Sequence, residues 1–194
     1  MIPAPQEAFE RFLEVLDRQE VQYFVGGSGA SSVYGFWRAT ADIDVVAQLA
    51  ADDVAPLVAA LESEFYVDAG QALQAIDHHR SFNLVHFASG FKLDVFPLTE
   101  DAYQQAQFSR RRFTTAPLFS GEPVEFCVAS PEDVVLGKLH WYRLGGETSE
   151  QQWRDVLGVL AVQGRSLDLD YARRWAEYLG IAGLLERALA ERPD

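Results

Sequence analysis

One cysteine, Cys127, stands in a chain of 194 residues. No intramolecular disulfide can form, so the fold must rest on a packed core, as in a reducing compartment. No apolar run is long enough to span a bilayer, and no membrane partner is expected. Met1 to Glu10 lacks a basic stretch followed by an apolar one, so no secretory leader is expected and the cytoplasm is the expected location. Positive charge is scarce: 16 Lys and Arg face 29 Asp and Glu, for a net charge of −13. Tracks for extended nucleic acid neutralise phosphates with Lys and Arg, and the overall field here opposes such a partner. The one dense basic run, Arg110-Arg111-Arg112, reads as a solvated edge or a contact for an acidic partner. Internal repeats and low-complexity segments are also absent.

What is present suits one substantial core or two small lobes sharing an interface. Phe9, Phe12, Leu13 and Leu16 fall on one face of a helix predicted from Gln6 to Arg18. Val21 to Val25 is a short apolar strand ending at Gly26-Gly27. Ser28 is placed to cap a short helix that runs to Tyr34 and ends at Gly35. A second strand, Ile43 to Ala47, follows Asp42, and Asp52 or Asp53 caps the next helix. Phe82–Ala88 and Phe91–Leu98, joined at Ser89-Gly90, read as a β-hairpin. A helix near Asp101–Phe108 and strands near Arg112–Pro117 and Val124–Val128 complete an α/β part covering residues 1–129. Ser130-Pro131-Glu132-Asp133 then opens a helical C-terminal lobe, residues 130–194, with a good N-cap and proline at the first helical position.

The chemistry concentrates between residues 26 and 44. Residues two apart in a strand point to the same side, so Asp42 and Asp44 project together. Two adjacent carboxylates repel unless a cation lies between them. The glycines just upstream let backbone N–H groups approach a phosphate. Asp94 is a third acid, set among apolar neighbours in a predicted strand, where a lone carboxylate is costly unless paired or metal-bound. Lys92 shares its face and is the structural alternative as its partner.

This stretch resembles the nucleotidyltransferase superfamily, the fold shared with polymerase beta. Within it, the run is similar to small bacterial nucleotidyltransferases of the toxin–antitoxin and abortive-infection kind. Gly27-Ser28, Ala30, Tyr34-Gly35, Arg38, Thr40 and Asp42-Ile43-Asp44 fall on that pattern without a gap, with Tyr34 where His is frequent. The resemblance implies an α/β (α+β) fold, with a mixed sheet flanked by helices and a helical C-terminal lobe. It implies metal-dependent transfer of a nucleoside monophosphate from an NTP to a hydroxyl on a small molecule, protein or tRNA, releasing pyrophosphate. Asp42, Asp44 and Asp94 would be catalytic and would hold Mg²⁺ or Mn²⁺, with Asp94 as general base or second-metal ligand. Gly27, Ser28, Arg38 and Lys138 would meet the nucleotide. Arg38 is equally read as a brace for the loop, and Lys138 as an exposed helical lysine. An antitoxin-like protein partner is a further implication.

The alternative is a non-catalytic protein that keeps the fold to bind nucleotide or a toxin–antitoxin partner. A glycosyltransferase also uses Asp-x-Asp, but the Gly-Ser turn close before the pair and Asp94 beyond it argue against that class. Adjacent His78-His79 cannot share a helix face, so these and His86 read as surface or core residues. Trp141, Trp153, Tyr171, Trp175 and Tyr178 read as helix packing rather than a base-stacking platform.

Overall fold

The computed structural model describes residues 4–192. Residues 1–3, part of the stretch read for a leader, and residues 193–194, the end of the expected helical lobe, lie outside the described residues. The first helix, α1 (Ala4–Arg18), buries Phe9, Phe12, Leu13 and Leu16, the stripe its spacing predicts. Strand β1 (Tyr23–Val25) leads into α2 (Gly27–Tyr34), and β2 (Asp42–Ala47) follows. Ser28 does not cap α2. Gly26 holds the N-cap position, and the Ser28 hydroxyl turns instead to Arg38 and Lys138.

Helix α3 (Ala51–Leu61) is preceded by Ala50, whose N–H donates to Asp53 at 2.8 Å. Between α3 and the hairpin lie β3 (Phe65–Tyr66) and α4 (Ala69–His78), neither predicted from the sequence. The residues that α4 buries, Ala72 and Ala75, are too small to mark a periodic apolar stripe. Strands β4 (Phe82–His86) and β5 (Lys92–Pro97) pair antiparallel, as expected for the hairpin. Helix α5 (Ala102–Arg110) is capped by Asp101, and β6 (Arg112–Ala116) pairs antiparallel with β7 (Val124–Val128).

Among the described residues the strands form one seven-stranded mixed sheet, in the order β3-β4-β5-β2-β1-β7-β6. The two central strands decide the site. Strand β2 runs antiparallel to β1 and parallel to β5, and β1 runs parallel to β7. Inward residues such as Ile43, Val45, Leu93 and Val95 are fully buried, and the acids alternate with them on the other face.

Among the described residues, four α-helices and a short 3-10 turn (Gly164–Ser166) follow the sheet. Ser130 caps α6 (Pro131–Leu144): its hydroxyl accepts from the Asp133 N–H and donates to Asp133 Oδ2 at 2.7 Å. After the Gly145-Gly146 break come α7 (Glu150–Gln163), α8 (Leu169–Tyr178) and α9 (Ala182–Glu191). Helices α6 and α7 form an antiparallel pair. Lys138 meets Asp155, and further along α6 Tyr142 stacks on Trp153, earlier in α7, at 5.3 Å between ring centroids. No helix among the described residues is long and apolar enough to cross a membrane.

Two residues of the arginine run are taken up by the fold, while Arg112 stays exposed at the start of β6. Arg110 pairs with buried Glu132 at 3.1 Å and lies over the Tyr171 ring. Arg111 donates to the Phe108 carbonyl and to Gln22.

Candidate active site

The parallel register of β2 and β5 sets Asp44 directly beside Asp94 and Asp42 beside Lys92. The close turn into α2 holds Gly27 against the Asp44 carboxylate. Gly27 has φ +53°, and a Cβ there would overlap Asp44 Oδ2, so both the backbone and the space call for glycine. The Gly26 N–H donates to the Asp44 carbonyl at 2.9 Å and locks the turn to the strand. Thr40 donates to Asp42, at 2.9 Å to its carbonyl and 3.1 Å to Oδ1, and so orients the first acid of the pair.

The Asp44 carboxyl is perturbed by its surroundings. Burial raises its pKa first, and the charges of Asp42 and Asp94 raise it further, up to about 6, against the pull of Lys138 and Lys92. Lys92 answers part of this charge: its ammonium lies 2.7 Å from Asp94 and 4.0 Å from Asp42. The ion-pair alternative for Asp94 is therefore present as a contact. Among the described residues, no three His, Cys, Asp or Glu side chains already converge on one point as a metal cage. The donors are nonetheless the hard oxygens that Mg²⁺ or Mn²⁺ prefers, and the Lys92 ammonium occupies a cation position between two of them. Lys92 is partly exposed, with a long side chain of many rotamers, so it can yield that place.

A second cluster lies at the start of α2. The Ser28 hydroxyl accepts from Arg38 at 2.6 Å and from Lys138 at 3.1 Å. Lys138 is buried, not an exposed helical lysine. Both cations are gripped by Asp155 of α7: Lys138 at 2.8 Å, and Arg38 through two contacts at 3.2 and 3.3 Å. Burial opposes the ionised form of Asp155, but the Arg38 and Lys138 hydrogen bonds outweigh it and hold the carboxyl below its ordinary range. Sequence reasoning missed Asp155. Its only signal was an acid placed one turn from Val159, within the expected helical lobe.

Asp44, Ser28 and Lys138 share one cleft of about 720 Å³; Asp42 and Asp94 lie outside its lining, and Arg38 and Asp155 line a separate, smaller pocket. Gly27, Ser28, Asp44 and Lys138 line one part of the cleft, and Thr99, Asp101, Tyr103 and Gln107 another. The helical wall includes Gly137, Trp141 and Gln152. Trp153, Tyr171 and Trp175 pack in aromatic pairs as expected, but Trp141 is 58% exposed and belongs to the cleft wall instead. His79 also lines the cleft, while His86 is bonded to Ser89.

The mixed sheet flanked by helices is the nucleotidyltransferase fold, as solved structures show. The antibiotic-resistance factor ANT(2'')-Ia in solution matches with a TM-score of 0.54 at 16% identity, over 95% of this chain and 92% of that one. An antigenic nucleotidyltransferase-like protein from Paracoccidioides brasiliensis also matches with a TM-score of 0.54, at 19% identity over 98% of this chain and 95% of that one. A crystal structure of ANT(2'')-Ia in complex with adenylyl-2''-tobramycin matches with a TM-score of 0.50, at 13% identity over 89% and 94%. No protein-family model matches the chain. No curated protein matches it in sequence.

Proposed function

We propose that this protein transfers a nucleoside monophosphate from an NTP to a hydroxyl acceptor. The observation that carries this reading is the pairing of Asp44 with Asp94 on adjacent parallel strands, against a glycine turn whose Ser28 gathers two cations. Gly27, Ser28, Arg38 and Lys138 bind and orient the triphosphate, where backbone N–H groups and fixed cations favour its charge. Asp42, Asp44 and Asp94 hold Mg²⁺ or Mn²⁺, which when bound neutralises charge on the triphosphate. Asp94 accepts the proton of the acceptor hydroxyl. The hydroxyl oxygen forms its bond to the α-phosphorus, the bond from that phosphorus to the bridging oxygen breaks, and pyrophosphate leaves. Lys92 must release Asp94 first, because a carboxylate held at 2.7 Å by an ammonium is a poor base. The net charge of −13 and the adenylylated tobramycin in one structural neighbour favour a small-molecule acceptor over a polynucleotide.

Incubation with labelled NTP, Mg²⁺ and a panel of hydroxylated acceptors, with pyrophosphate release as the readout, tests the reading. Asp94→Asn is expected to abolish transfer while keeping Mg·NTP binding, and Asp42→Asn to impair both. Normal turnover by Asp94→Asn would make Asp94 a structural partner of Lys92. That ion pair also favours the second reading, a nucleotide-binding protein without turnover. Under it, Mg·NTP binds and no acceptor or solvent hydroxyl is ever labelled.

A further inference from the structure

Helices α6 and α7 build the cleft wall as a ladder. Its first rung is Lys138 with Asp155, which meets Ser28 at the start of α2. Because the helices are antiparallel, the next rung pairs the residue three after Lys138 with the residue three before Asp155. These are Trp141 and Gln152, roughly 4.5 Å further along at 1.5 Å per residue. Both line the same cleft as Ser28 and Asp44.

Trp141 exposes its ring although Trp153 and Trp175 are both stacked on other aromatics. Among the described residues no aromatic ring or cation stacks on it. Beside it Gly137 leaves bare backbone: a Cβ there would meet nothing within 4 Å. Gln152 Oε1 is buried without a hydrogen-bond donor. An acceptor left in that state carries a desolvation cost that a donor from a ligand would relieve.

We infer that the Trp141–Gln152 rung is the nucleobase slot of the nucleotide site, an assignment that rests on the proposed function. The base lies on the Trp141 face beside Gly137, one turn from the cations that take the triphosphate. Gln152 accepts a hydrogen bond from an N–H on the base edge. Stacking tolerates every base because each has a π-face, so the slot recognises a planar base.

Binding of each NTP is compared with binding of ribose 5′-triphosphate, which keeps the phosphates and lacks the base, with Mg²⁺ and no acceptor. The wild-type protein should prefer the NTP by about tenfold or more, the range that base–aromatic stacking supplies. Trp141→Ala should bind both alike, with the ribose 5′-triphosphate affinity unchanged, and Trp141→Phe should recover most of the preference. Gln152→Leu should reduce the preference and also leave ribose 5′-triphosphate binding unaltered. A Trp141→Ala protein that keeps the preference, or that loses both ligands equally, overturns the inference. So does a wild-type protein that binds the two ligands equally, though nucleotide binding itself then stands. A wild-type protein that binds neither overturns the parent reading and the slot together.

Discussion

At the level of single residues, Asp44 carries a charge that costs stability at neutral pH. Its carboxyl is pushed up to about 6, first by burial and then by Asp42 and Asp94. An unfolded Asp titrates near 4. Between these values the folded protein keeps a proton that the unfolded chain has released. The metal-free protein therefore loses stability as pH rises through about 4 to 6, and the full cost, about 2–3 kcal/mol, is present above that window. Asp44→Asn keeps the shape and removes the charge. In EDTA at pH 7 it is expected to melt several degrees above wild type, at about 2–4 °C per kcal/mol for a chain of this size. The difference should vanish near pH 4, and the substitution should also abolish the gain from Mg·NTP. A lower melting temperature in EDTA at pH 7 would mark Asp44 as a structural hydrogen-bond partner.

At the scale of elements, Asp155 is where α7 grips both α2 and α6. It pairs with Lys138 at 2.8 Å, and both side chains are nearly buried, at 7% and 5% exposure. Removing one partner of a buried ion pair strands the other and costs about 3–5 kcal/mol. Arg38 and Gln151 also reach Asp155 from partly exposed positions, so the lower end applies. Asp155→Asn is expected to lower the denaturation free energy by about 3 kcal/mol. Adding Lys138→Met should recover a large part of that loss, because no buried ammonium is then stranded and the remaining cation, Arg38, is partly exposed. Urea denaturation of the two single variants and the double variant gives the coupling. Additive losses would mean that the pair does not act as a unit. The start of α6 was legible in the sequence, through Ser130-Pro131, but the grip of α7 on α6 and α2 was not.

The whole molecule carries a charge of −13, and Asp44, Asp101 and Asp133 line the cleft itself. A bare NTP adds negative charge to that field, so its affinity should depend on a divalent cation. At about 100 times the dissociation constant, linkage gives roughly 2.7 kcal/mol of stabilisation, or a melting shift of about 5–10 °C. The shift is expected with Mg²⁺ and NTP together, and not with NTP in EDTA. Equal shifts in both conditions would rule out carboxylates bridged to the triphosphate by metal.

The strand, glycine turn, short helix and Asp-x-Asp strand are contiguous, so Gly26 to Asp44 could be read directly from residue order. The period of two put Asp42 and Asp44 on one side of β2 without any tertiary information. Likewise, a single cysteine and Ser130 before Pro131 had local consequences that the fold keeps. Three features depended on contacts between distant segments. The hairpin carrying Asp94 was visible, but its parallel pairing with β2 joins strands fifty residues apart, and a one-residue slip would have turned Asp94 to the other face. The same register brought Lys92 to Asp42 and Asp94. Periodicity shows that a helix has an apolar side but not what covers it, so Trp141 read as core and Asp155 had no visible partner. Only the packing of α6 and α7 against α2 turned Trp141 into the cleft and buried Asp155 against Lys138, because that packing decides which side chains lose water and which keep it.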